Sequence, residues 1–169
     1  MKSYLVLTVL GTDRTGLVRS LADIVASHGG NWLESRMARL AGQFAGIVRI
    51  ECPSEQADSL AAELRDPGMP GLTVLAVREE VSGPETRRTL RVDVVGNDRP
   101  GIVRELTAAI AGAGANIEEL TTGLESAPMA GHPMFRAHGV ISIPETVETA
   151  TLTAAIEHLG GDLTVDVTV

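Results

Sequence analysis

From Tyr4 to Leu10 the chain is apolar and β-rich, and from Leu17 onward the period changes: Leu17, Leu21, Ile24, Val25 and His28 recur at the three- and four-residue spacing of one buried helical stripe. That switch predicts a strand followed by a helix. The pattern returns 85 positions later, where Leu90, Val92 and Val94 repeat Leu5, Leu7 and Val9, and Ile102, Leu106, Ile110 and Ala113 repeat the stripe. The same offset superposes Gly11-Thr12-Asp13-Arg14-Thr15-Gly16 on Gly96-Asn97-Asp98-Arg99-Pro100-Gly101, Asn31 on Asn116 and Glu34 on Glu119. The chain is one unit written twice, and two copies of about 85 residues predict two domains rather than a solenoid.

Each first helix stops at a glycine-rich break, Gly29-Gly30 or Gly112-Ala113-Gly114, as a left-handed C-terminal cap requires. Asn31 to Leu40 and Asn116 to Leu124 then read as second strands, and Phe44 to Cys52 and Phe135 to Ile143 as third strands. Between them the offset grows from 85 to 91, which places six extra residues in the second hairpin, within Glu125 to Pro133. Ser54 to Arg65 and Thr146 to His158 read as second helices, Leu72 to Val77 and Leu163 to Val169 as last strands. Each copy is therefore β-α-β-β-α-β, an α+β, ferredoxin-like unit with a four-stranded antiparallel sheet and two helices on one face. The expected division is a first domain over 1–81, a linker at 82–86 marked by its Gly-Pro pair, and a second domain over 87–169.

Composition narrows the function. Hydrophobic residues make up 44% of the 169 and aromatic residues only 2%, so the cores rest on Val, Ile, Leu and Ala. The net charge of -8, with no basic stripe, opposes direct contact with nucleic acid or an anionic membrane. One cysteine, Cys52, excludes a disulfide within the chain, and its strand parity with Phe44, Gly46, Val48 and Ile50 predicts a buried small hydrophobe. Met1-Lys2-Ser3-Tyr4 runs straight into the first strand with no signal-peptide hydrophobic region, so a cytoplasmic protein is expected. Alternation sends Val6, Thr8, Leu10, Ile47, Leu75 and Val77 to the outer face of the first sheet, whereas the second carries Arg91, Asp93, Arg136, His138 and Asp166 there. One apolar and one polar face predict a twofold homodimer built on the first.

A βαββαβ unit with Asp-Arg-x-Gly after its first strand and Gly-x-x-Asn after its first helix resembles the ACT domain family, and the match covers the whole chain twice. The resemblance implies a regulatory binding module: an amino-acid ligand, glycine or serine being candidates, whose occupancy is passed to a transcription factor or a metabolic enzyme. It places ligand contacts on Thr12, Asp13, Arg14, Gly16, Leu17 and Asn31 in the first copy, and on Asn97, Asp98, Arg99, Gly101, Ile102 and Asn116 in the second. The chemistry suits a small zwitterion. A helix N-terminus offers free N–H groups to a carboxylate, an aspartate holds an ammonium, and an asparagine both donates and accepts. This reading requires all of these groups to converge in each copy.

Each group also has a plain structural role. Gly16 and Gly101 allow a tight turn, Asp13 and Asp98 cap a helix, and Asn31 and Asn116 tolerate unusual backbone angles. Of the four histidines only His132 and His138 are near one another, and a third metal ligand is missing, so neither metal nor cofactor is expected. No catalytic set is present, and a non-enzymatic regulator of transcription acting through a protein partner is the leading reading. A stand-alone regulator of an amino-acid metabolic enzyme is the alternative. A small ferredoxin-like acyl phosphate hydrolase fits less well, because Arg14 and Arg99 each stand beside an aspartate that opposes phosphate. The regulatory part of a larger ACT-containing enzyme would require a catalytic domain downstream of Val169.

Overall fold

The computed structural model describes residues 1–79, 87–126 and 133–168. The chain divides into two compact units, Met1–Ser82 and Gly83–Val169. In the first, β1 (Lys2–Thr12), α1 (Leu17–Ser27), β2 (Asn31–Leu40), β3 (Gln43–Pro53), α2 (Ala57–Arg65) and β4 (Leu72–Arg78) follow in order. The second repeats them as β5 (Arg87–Asn97), α3 (Ile102–Gly112), β6 (Asn116–Ser126), β7 (Pro133–Pro144), α4 (Thr149–Glu157) and β8 (Thr164–Thr168). The sheets run β2-β3-β1-β4 and β6-β7-β5-β8 with every pairing antiparallel. This is the ferredoxin-like arrangement expected.

The period-2 pattern of β1 becomes a buried row, Leu5, Leu7 and Val9, against which α1 packs Leu17, Leu21 and Val25 and α2 packs Leu60 and Leu64. In the second unit Leu90, Val92 and Val94 meet Ile102, Leu106, Ile110, Leu152 and Ile156. Both helices of a unit thus share one core on one face of its sheet. Cys52 is 1% exposed within the first core, and burial pushes its thiol pKa up. The outer face of the first sheet leaves Leu10, Ile47, Leu75 and Val77 each about half exposed. In the second, Arg136 bridges Asp93 and Glu125 at 3.3 Å each.

Differences from the expected boundaries are local. Ser54–Gln56 form a single 3-10 turn before α2 begins, and α4 starts at Thr149 because the Val147 N–H first closes a turn on the Pro144 carbonyl. The last strand spans Thr164–Thr168 rather than starting at Leu163. The expected linker at 82–86, Val169 and most of the six-residue insertion, His132 included, lie outside the described residues. The first hairpin is tight: Leu40 faces Gln43 across Ala41 and Gly42, both at positive φ, the backbone of a two-residue type I′ turn.

Candidate functional site

The two Asp-Arg loops sit where the first strand of each unit hands over to its first helix. Gly16 and Gly101 adopt φ of 91° and 88°, left-handed values that disfavour any side chain, and their carbonyls accept the first helical bonds, from Ser20 N–H at 2.9 Å and Glu105 N–H at 3.0 Å. No side chain caps either helix, so Asp13 and Asp98 do not serve as caps. Leu17 and Ile102 are buried, their side chains packed in the two cores. Thr12 and Asn97 end β1 and β5, opposite Gln43 and Met134.

The first loop borders an open cleft of about 300 Å³ lined by Arg14, Thr15, Gly16, Leu17, Ser20 and the turn Gly68-Met69-Pro70. The tip of the β2–β3 hairpin holds the loop from the other side: the Asp13 N–H donates to the Gly42 carbonyl at 2.9 Å, and Arg39 pairs with the Asp13 carboxylate at 2.5 Å. Arg14 is exposed and makes no hydrogen bond or ion pair among the described residues.

The second loop is wired differently. Arg99 donates to Glu105 at 2.5 Å and to the Leu159 carbonyl at 3.2 Å. The hydrogen bond from Arg99 holds the Glu105 carboxyl below its ordinary range, and Glu105 in turn raises the Arg99 guanidinium. Asp98 is exposed, and its carboxylate has no partner among the described residues. The Asn97 N–H donates to Asp162 at 3.2 Å.

The asparagines do not join these loops within a unit. Asn31 faces Glu51, which faces Tyr4, whereas the loop begins after Thr12, eight residues along β1; at 3.4 Å per residue the separation is roughly 27 Å. Asn116 faces Ser142 and hence Thr89, the same distance from Asn97, and it donates to Glu118 at 2.9 Å. The convergence expected in each copy is corrected accordingly: a strand that runs the length of the sheet separates the two ends. Ser20, Glu105 and Arg39 were not singled out in the sequence. Their signal lies in columns where the 85-residue offset fails, Ser20 against Glu105 and Arg39 against Leu124.

Comparison with known proteins agrees with this architecture. The ACT domain family model matches residues 3–73 and 88–124. The chain belongs to the ACT domain family and carries the domain in tandem. It is similar to the glycine cleavage system transcriptional repressor of Escherichia coli (strain K12), 26% identical over 163 residues that cover 95% of this chain and 85% of the repressor. Among solved structures, an unknown protein from Galdieria sulphuraria superposes with a TM-score of 0.86 at 30% identity, covering 99% of this chain and 98% of that one. A protein provisionally described as a glycine cleavage system transcriptional repressor shares the fold, with a TM-score of 0.69 at 19% identity over 99% of this chain and 98% of its own. The chain is thus an ACT-domain regulatory protein related to that repressor. No helix among the described residues is long and apolar enough to cross a membrane.

Proposed function

We propose that this protein is a cytoplasmic amino-acid sensor, not an enzyme, that alters transcription by binding a protein partner. The observation that carries the reading is the duplicated Asp-Arg loop, which in the first unit sets an arginine unpaired among the described residues and a helix N-terminus at an open cleft. Both features favour a carboxylate. An open space of about 300 Å³ admits glycine or serine. Asn31, roughly 27 Å along the strand from the loop of its own unit, takes no part in a ligand site built within that unit. With a net charge of -8 the protein acts on DNA through its partner rather than by contact.

The active form is a homodimer joined through the outer face of the first sheet. Its apolar residues Leu10, Ile47, Leu75 and Val77 adjoin charges already neutralised within the unit, Lys2 by Glu51 at 2.7 Å and Arg49 by Glu79 at 2.8 Å. A second copy of that face meets no net repulsion there.

Thermal unfolding in each of the twenty amino acids tests the sensor reading. A ligand bound to the folded state at a hundred times its Kd adds about 2.7 kcal/mol, so glycine or serine at millimolar concentration should raise Tm. An unmoved Tm with all twenty contradicts it.

A further inference from the structure

The two loops share an Asp-Arg dipeptide, yet they expose opposite charges. In the first unit Arg39 neutralises Asp13 and leaves Arg14 open on the cleft. In the second, Leu124 stands at the position of Arg39, Glu105 stands at the position of Ser20, and the carboxylate of Glu105 neutralises Arg99 while that of Asp98 has no partner among the described residues. Two departures from the repeat thus invert the charge each loop presents.

We propose that only the first loop accepts a carboxylate ligand, because the second unit supplies its own: Glu105 occupies Arg99 as a ligand carboxylate occupies Arg14. Four observations support it. Arg99 is only 35% exposed and is held from two sides, by Glu105 at 2.5 Å and the Leu159 carbonyl at 3.2 Å. Ser20, the counterpart of Glu105, lines the first cleft and puts no charge in it. The Ile102 N–H at the start of α3 is engaged by the Arg99 carbonyl at 3.3 Å, which removes one of the donors a carboxylate would use. Finally, the remaining charge of the second loop, Asp98, repels an anion and favours a cationic group. The consequence is one carboxylate site per chain, despite the duplication, with Ser20 and Glu105 as the residues that set which copy binds. The inference rests on the sensor reading above for the identity of the ligand, but the difference between the arginines does not.

Phenylglyoxal labelling of the full chain, resolved by peptide mass, measures that difference directly. Arg14 should be modified several-fold faster than Arg99, and glycine or serine at saturation should slow Arg14 alone. Glu105→Ser should raise the Arg99 rate several-fold toward that of Arg14; Ser20→Glu should slow Arg14. Glu105→Gln, which keeps the size of the side chain, serves if the serine variant does not fold. Equal rates for Arg14 and Arg99 in the parent overturn the inference whether or not an amino acid binds. Faster labelling of Arg14 that none of the twenty amino acids suppresses overturns the sensor reading on which the ligand assignment depends.

Discussion

Glu105 has a folded-state pKa lowered first by its hydrogen bond from Arg99 and then by the nearby positive charges of Arg99 and Arg104. A lowered carboxyl pKa means that its stabilising contribution is complete above the unfolded value of about 4.3 and is lost as pH falls through the lowered folded value. Glu105→Gln should therefore lower Tm near neutral pH, and the difference from the parent should shrink as pH drops below 4, followed by circular dichroism. A difference constant across that range contradicts the ion pair. A steric prediction concerns Gly139, whose added Cβ would lie 2.1 Å from the Glu119 carbonyl oxygen at the irregularity in the β6–β7 register. Gly139→Ala should cost about 1–3 kcal/mol in urea unfolding, as overpacking does. Gly123→Ala, with nothing within 4 Å, is the control and should stay within about 0.5 kcal/mol.

The β2–β3 hairpin shows how an element serves the site. Its tip residue Gly42 accepts from Asp13, and Arg39 beside it neutralises that aspartate, so the turn fixes the loop that carries Arg14. Ala41 sits at φ 49°, where an L-residue other than Asn or Gly is strained. Ala41→Asn should stabilise the protein by about 1 kcal/mol without moving Arg14, since Asn-Gly is the favoured pair for this turn; a lower Tm in the variant counts against the turn assignment. The elements themselves were legible because Leu5, Leu7 and Val9 alternate and Leu17, Leu21 and Val25 step by a helical turn, and burial rewards those periods. The repeat fixed the order of the rest. The site was legible only in part: the offset located both Asp-Arg loops, but pairing between Arg39 and Asp13, or Arg99 and Glu105, depends on which side chains tertiary packing brings near. The resemblance grouped Asn31 with the loop, and the expectation that the two meet within one copy fails because a full-length strand carries Asn31 to the other end of the sheet.

For the whole molecule, the contrast between the two outer sheet faces is the ground for the proposed dimer. Antiparallel sheets tolerate water on one face when that face is polar, as Arg136, Asp93 and Glu125 make the second. The first, with Leu10, Ile47, Leu75 and Val77 exposed, calls for cover. Val6→Asp with Ile47→Asp should convert a dimer to a soluble monomer in analytical ultracentrifugation; a monomeric parent or an unchanged variant mass contradicts the dimer. Purified protein alone should not retard promoter DNA, given its net charge of -8, and salt-sensitive retardation at micromolar concentration would reverse that view. The central claim, that the first Asp-Arg loop receives an amino-acid carboxylate, is tested most directly by isothermal titration of the full chain with glycine and with serine, on the parent and on Arg14→Ala. The predicted result is saturable binding of one of them at one site per chain, lost in Arg14→Ala while the folded state persists. Binding that survives Arg14→Ala unchanged, or no heat from either amino acid or from the other eighteen, would contradict it.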